Sequence, residues 1–282
     1  MPPSVAVIAP GAMGAGVGKR LAGRGVRVFT SLLGRSAASG SRASDAGMID
    51  AADEKIAAAD FILSILPPGE ALALAERFAP VLAASTAKPI YVDCNAINPA
   101  TVDRVAAIIA PTRCTFVDCG IIGQPPKIDG EGPRFYASGE AATRFAMLRD
   151  YGLDVRVLDG SLSAASALKM SYAGITKGTQ ALGAAMLLAA TRSGSADALL
   201  AELSYSQKAL LALLRQQLPV MPSKAYRWIA EMEEIAGFVG EDPAASELYR
   251  GAAHFYRRIA DDFVTSKQDV TALEALLDKI VD

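Results

Sequence analysis

A lysine, a tyrosine, a threonine and a glutamine recur along one face of an otherwise apolar run that begins near Ser161. At about 100° per residue, Leu162, Ala165, Lys169, Tyr172, Ala173, Thr176, Gln180, Gly183 and Leu187 share one side. Burying such polar groups unpaired costs about 1–3 kcal/mol each, so the stripe meets solvent or lines a wet pocket. Taken alone, Lys169 reads as a solvated surface lysine. Its chemical alternative is acid/base work. A positioned ammonium supplies or accepts a proton and stabilises a developing oxyanion, and desolvation or a nearby cation brings its pKa toward neutrality.

A second constellation lies at the start of the chain. Val5-Ala6-Val7-Ile8-Ala9 reads as a buried strand, and Pro10-Gly11-Ala12-Met13-Gly14 turns it into a helix. The first-turn N–H groups of a helix, with their partial positive charge, favour an anion. Gly11 lets the backbone approach a pyrophosphate, and Gly14 lets the helix lie close on the sheet. The spacing is that of the dinucleotide fingerprint G-x-G-x-x-G, with Ala9 in place of its first glycine. Gly11, Ala12, Met13 and Gly14 are the expected pyrophosphate contacts.

The end of the second expected strand tells which dinucleotide. NAD sites usually place an Asp or Glu there for the ribose 2′-hydroxyl. Phe29-Thr30-Ser31-Leu32-Leu33-Gly34-Arg35-Ser36 has no acid before Asp45. Arg35 offers a guanidinium to a 2′-phosphate, Ser31 and Ser36 add hydroxyls, and Arg42 follows one or two turns on. This favours NADP(H).

The elements that must position these residues follow from periodicity. Strands are predicted at 4–9, 26–30, 60–65, 90–93, 114–118, 134–138 and 155–158, and helices at 12–23, 36–46, 69–84, 99–110 and 140–150. Such alternation implies βαβ units and a mostly parallel sheet covered on both faces. Gly120–Pro133 reads as a long functional loop. After Gly160 only helical patterns remain, at 161–193, 196–218, 222–238, 243–262 and 267–281. The expected fold is therefore α/β: an N-terminal Rossmann doubly wound sheet (1–160), followed by an all-α domain built on a long helix (161–282). In that domain Arg227, Glu231 and Glu234 are spaced to brace one helix, beside the only tryptophan, Trp228; the alternative is a substrate-facing edge, with Trp228 as an apolar wall and Arg227 or Lys224 binding an anionic group.

Bulk properties exclude several classes. The 282 residues are 51% hydrophobic but only 6% aromatic, which favours helices and a tightly packed sheet over an all-β sandwich. With 28 basic and 30 acidic residues interspersed, no surface is committed to nucleic acid or anionic lipid. The apolar stretch 181–190 is too short to cross a bilayer, and the first strand leaves no room for a signal peptide. Cys94, Cys114 and Cys119 read as reduced thiols, and a single histidine, His254, leaves no metal cluster to assemble. A cytoplasmic protein with a small-molecule substrate is expected.

These motifs resemble the β-hydroxyacid dehydrogenase superfamily, which includes 3-hydroxyisobutyrate and 6-phosphogluconate dehydrogenases. The resemblance spans nearly the whole chain and is closest to the branch with a phosphogluconate-dehydrogenase-like C-terminal domain. Four places carry it: Ala9–Gly14, similar to G-x-G-x-M-G; Asp60–Pro68, similar to the strand and loop passing the nicotinamide; Val92–Pro99, where the family has D-x-S-T-x-x-P; and Gly160–Ala173, where it places a catalytic lysine. The resemblance implies a hydride-transfer enzyme with Lys169 as acid/base, Leu66, Pro67 and Asn95 flanking the nicotinamide, an active site in the interdomain cleft, and a homodimer.

Departures from the family pattern bear on the substrate. The family's D-x-P-V-S-G-G corresponds to Asp118-Cys119-Gly120-Ile121-Ile122-Gly123-Gln124, so its serine is Ile122 here. The asparagine four residues after the lysine is Ala173, with Tyr172 one position earlier, and the D-x-S-T serine is Asn95. The expected substrate contacts are Asn95, Gly120, Ile122, Gly123, Gln124, Tyr172 and Thr176. A hydroxy or carbonyl substrate larger and less anionic than a small 3-hydroxy acid is expected. The alternatives are an imine (C=N) reductase on the same architecture and a non-catalytic NADPH sensor.

Overall fold

The computed structural model describes residues 2–126 and 130–279. Eight strands form one sheet: β1 (Ser4–Ile8), β2 (Arg27–Thr30), β3 (Ile49–Asp50), β4 (Phe61–Ser64), β5 (Ile90–Asp93), β6 (Thr115–Ile122), β7 (Arg134–Ser138) and β8 (Asp154–Val157). Their order is β3-β2-β1-β4-β5-β6-β7-β8. Only the β6–β7 pairing is antiparallel. The helices are α1 (Ala12–Ala22), α2 (Ala37–Asp45), α3 (Asp53–Ile56), α4 (Ala71–Ala84), α5 (Pro99–Ile109), α6 (Ala142–Phe145), α7 (Ala164–Arg192), α8 (Ala196–Ser206), α9 (Lys208–Gln217), α10 (Pro222–Phe238), α11 (Pro243–Val264) and α12 (Gln268–Leu277). The expected α/β class with a helical C-terminal part is what the chain adopts.

Side-chain alternation builds the two cores of the first unit. Val5, Val7, Leu63, Val92 and Val117 face one side, with Val17 and Leu21 of α1. Ala6, Ile8, Ile62, Tyr91 and Phe116 face the other, with Phe78 and Leu82 of α4 and Val105 of α5. Strands covered on both faces are apolar without interruption, which is why β1 is buried at all five positions.

Three expectations need correction or refinement. The two-residue β3 escaped notice because both residues are exposed and too few to show a period. Gly120–Ile122, expected to open the long loop, belong to β6 and pair with β7, Ile122 opposite Arg134. Residues 127–129 of that loop, and the end of the last expected helix, lie outside the described residues. The helix expected at 196–218 breaks at Gln207, whose backbone (φ −135°, ψ 46°) separates α8 from α9.

Two compact units emerge, the first ending at Met170 and the second starting at Ser171. The division falls inside α7, ten residues beyond the composition change at Gly160. In the second unit, α10 and α11 pack along their lengths and bury Met232, Ile235, Tyr256 and Ile259.

Candidate active site

The glycine turn has the build of an anion cradle. Gly11 is the N-cap of α1, extended at φ −71°, and α1 has neither a side-chain cap nor an acid in its first turn. Its leading N–H groups therefore keep their positive end for an outside acceptor. A Cβ on Gly11 would meet nothing within 4 Å, whereas one on Gly14 would run into the Ala9 carbonyl. Gly11 leaves room for a ligand, and Gly14 seats the helix on the strand. Ala12 is exposed; Met13 packs its side chain on the core, leaving its backbone at the turn. These features fit a dinucleotide pyrophosphate.

Beyond β2, Arg35 and Ser36 are exposed, and the Ser36 hydroxyl caps α2 by accepting from Ser39 N–H. Arg42 reaches back across α2 and donates to the Pro10 carbonyl at 3.0 Å, joining this segment to the glycine turn. A groove of about 700 Å³ opens alongside, lined by Ser31, Leu32, Gly34, Asp50, Asp53 and Arg77. Arg77 was missed in the sequence. It forks onto Asp53 (2.6 and 2.8 Å) and donates to the Ser31 hydroxyl at 2.7 Å. Its position within α4 carries no local signal; only the fold brings it to the end of β2.

The C-terminal ends of β4, β5 and β6 carry the rest. Asn95 is 2% exposed. Its Oδ1 accepts from Leu66 N–H at 2.6 Å, and its Nδ2 donates to Ser64 (2.8 Å) and Asp93 (3.0 Å). Asn95, expected beside the nicotinamide and the substrate, engages its amide inside the protein, where it fixes the Leu66–Pro67 segment. Leu66 is half-buried against the core and Pro67 is exposed. Burial raises the Asp93 carboxyl to about 7, partly opposed by hydrogen bonds from Asn95, with Asp118 adding repulsion.

β6 receives the first turns of α7. Asp118 lies opposite Asp93 on the neighbouring strand. It accepts Ser166 N–H and Ser166 Oγ–H, both at 2.7 Å. On β7, Ser138 accepts Ala165 N–H at 3.0 Å and donates to the Leu162 carbonyl at 2.8 Å. A Cβ on Gly120 would sit 2.8 Å from the Ala165 carbonyl oxygen and 3.1 Å from Lys169 Cβ. The absent side chain lets helix and strand touch there. Lys169 Nζ then donates to the Ile121 carbonyl at 2.8 Å. Ile122 is 5% exposed, so its side chain belongs to the interior, while Gly123 and Gln124 are exposed.

In the second unit the polar stripe is less uniform than its spacing implies. Tyr172 is 47% exposed. The Thr176 hydroxyl, an expected substrate contact, donates back to the Tyr172 carbonyl at 2.9 Å within its own helix. Gln180 is buried at 4%. The feature missed is Lys177, ion-paired with Glu231 of α10 and 5.3 Å from the Trp228 ring centroid. The expected Arg227–Glu231 brace is corrected accordingly. Glu231 is on the buried face of α10 with Met232 and Ile235, while Arg227 is exposed over the Tyr226 ring.

Residues 4–152 match the NAD binding domain of 6-phosphogluconate dehydrogenase. The chain belongs to this family. Downstream of this 6-phosphogluconate dehydrogenase-type NAD-binding domain, residues 190–259 match a domain of unknown function, DUF1932. An uncharacterized 28.5 kDa protein of Methanothermus fervidus is 29% identical over 177 residues, covering 62% of this chain and 66% of that protein. A solved conserved protein of unknown function, described as structurally similar to 3-hydroxyacid dehydrogenases, shares 29% identity and a TM-score of 0.70 over 96% of this chain and 99% of its own. Mycobacterium tuberculosis 3-hydroxyisobutyrate dehydrogenase with L-serine shares the fold, at 21% identity and TM-score 0.69 over 98% and 99%. Among the described residues no helix is long and apolar enough to cross a membrane.

Proposed function

We propose that this chain is an NADP-dependent oxidoreductase that moves hydride between the nicotinamide and a hydroxy or carbonyl substrate, with Lys169 as general acid/base. The observation that carries this reading is the placement of the Lys169 ammonium beside the Ile121 carbonyl, at the strand edge that also bears the Gly11–Gly14 turn. β1 and β6 are separated by β4 and β5, so roughly 14 Å of sheet edge lies between the pyrophosphate cradle and the amine. Ligands of open α/β sheets bind along that edge, beside the point where strand order reverses.

When bound, a nicotinamide gives or takes the hydride. Everything else falls to the protein. Gly11 to Gly14 hold the pyrophosphate, and Arg35 and Ser36 hold the 2′-phosphate beside the groove after β2. Leu66 and Pro67, fixed by Asn95, wall the ring. Lys169 delivers a proton to a carbonyl oxygen, or receives one from a hydroxyl, and its charge stabilises the oxyanion. Gly120, Gly123 and Gln124 border the substrate. We place the protein in the cytoplasm, its three buried thiols reduced.

We also propose a homodimer through α7. Tyr172, Ile175, Leu182 and Met186 fall within an arc of about 80° and are 47%, 70%, 66% and 54% exposed. A helix face this apolar calls for a second copy.

The test is NADPH consumption against hydroxy acids, aldehydes, ketones and imines, with Lys169→Ala alongside. The substitution should lower kcat by about 10²–10⁴ while NADPH binding persists. Unchanged turnover in that variant refutes the assignment. Turnover of imines alone moves the reading to a C=N reductase, and NADPH binding with no turnover moves it to a sensor.

A further inference from the structure

We propose that Asp118 is a positioning residue for Lys169, serving as an N-terminal cap that reaches α7 from the sheet. The inference rests on the reading of Lys169 given above. A helix begins with N–H groups that have no partner within it. α7 finds partners for two of them on neighbouring strands: Ser138 takes Ala165 N–H and Asp118 takes Ser166 N–H. Asp118 also takes the Ser166 hydroxyl, so both carboxylate oxygens hold one residue of the first turn. Asp118 and Ser166 are both 0% exposed. An ionised carboxylate here meets the positive end of the helix, and its two bonds are of the charge-assisted kind.

The consequence for Lys169 is geometric. Ser166 precedes it by three residues, one turn, and Gly120 follows Asp118 by two on β6. Asp118 on Ser166, Gly120 under Ala165 and Lys169 Cβ, and Ile121 under Nζ form three successive contacts between one strand and one helical turn. Release of the first lets the turn rotate and takes Nζ from its carbonyl.

Ionisation is the natural control on such a clamp. The charged and titratable groups around Asp118 are Asp93 on β5, Cys94 directly after it, Cys119 on its own strand and Asp103 on α5. Burial raises the Asp118 carboxyl to about 6, partly opposed by the bonds from Ser166. The carboxylate form accepts both Ser166 donors; the protonated form gives up one acceptor position. Lys169 is therefore held best above that pH.

The experiment pairs Asp118→Asn with the milder Ser166→Ala in the full chain. Accessibility of Lys169 is read by trace acetylation with acetic anhydride, and opening of residues 164–170 by amide hydrogen exchange, both with and without NADPH. At pH 8, acetylation of Lys169 and exchange of this turn should rise in both variants, and in the wild type the turn's protection, taken relative to the intrinsic exchange rate at each pH, should fall as pH drops through about 6. In turnover assays, Asp118→Asn should lower kcat by up to about 100-fold with little change in KM for NADPH, and the acid limb near pH 6 should disappear. Unaltered acetylation and exchange in Ser166→Ala, with the acid limb retained in Asp118→Asn, overturn the inference; so does loss of stability without any change at Lys169, should Asp118→Asn not fold. If acetylation and exchange respond as expected while the wild type turns over no substrate, the clamp stands and the hydride-transfer reading falls.

Discussion

Gly120 and Lys169 touch backbone to side chain. The space a Cβ would fill on Gly120 ends 3.1 Å from Lys169 Cβ and 2.8 Å from the Ala165 carbonyl oxygen. The second of these is backbone and cannot swing away. Gly120→Ala should push the first turns of α7 from β6, costing about 1–3 kcal/mol as overpacking does and lowering kcat. Urea unfolding and NADPH turnover measure both effects. Wild-type stability and wild-type rate together in this variant would show that the close approach is not required.

Arg35 should discriminate between the two cofactors. It is exposed after β2, where Phe29–Ser36 itself holds no acid, beside a groove lined in part by Asp50 and Asp53. Loss of a hydrogen bond to a charged group is worth about 1.5–3 kcal/mol, or about 10- to 100-fold. Arg35→Ala should raise KM for NADP by that factor and leave KM for NAD nearly unchanged. Equal effects on both rule out recognition of the 2′-phosphate.

What could be read from the sequence divides along physical lines. The Rossmann sheet was legible because buried parallel strands are continuous apolar runs, as in Val5–Ile8, and because Gly14 has a role only glycine fills. The role proposed for Lys169 comes from the resemblance, since its spacing alone marks a surface lysine. Contacts between residues far apart in sequence were not legible. Nothing local announces that Asp118 would cap a helix 48 residues later, that Asn95 would turn inward to Leu66, or that Arg77 would reach Ser31. Lys177 was overlooked for a related reason: the projected stripe ran through Tyr172, Thr176 and Gln180, while the buried charge lay one residue aside, facing α10.

Two buried carboxylates set an unusual pH dependence of stability. Burial is the leading cause that raises Asp93 to about 7 and Asp118 to about 6, against an ordinary aspartate near 3.9 in the unfolded chain. The folded state therefore binds these protons more tightly, and their contribution is fully present below about pH 4. It is lost as pH rises through about 6 to 7. Each pH unit between folded and unfolded values is worth about 1.4 kcal/mol, so Asp118 alone contributes on the order of 3 kcal/mol to global unfolding, while its local bonds to Ser166, which oppose the burial effect, tighten on ionisation. Urea unfolding from pH 8 to pH 5 should show the wild type gaining stability relative to Asp93→Asn. Parallel curves for the two would remove Asp93 from the account.

Within the second unit, the Lys177–Glu231 pair should behave as a buried ion pair whose halves depend on each other. The side chains are only 16% and 9% exposed, and Trp228 and Tyr256 pack around them, the two rings 5.2 Å apart and nearly perpendicular. The Tyr256 hydroxyl donates to the Lys177 carbonyl at 2.7 Å, tying α11 to the same point of α7. Removal of one member leaves a charge in a poorly solvated place, which costs about 3–5 kcal/mol. Lys177→Met and Glu231→Gln should each lower stability by that order, whereas Lys177→Met with Glu231→Leu should recover much of it. Trp228 is the only tryptophan, so its emission reports this site directly in urea titrations. Additive losses in the double variant would mean that the two residues stabilise the fold separately and that their pairing contributes little.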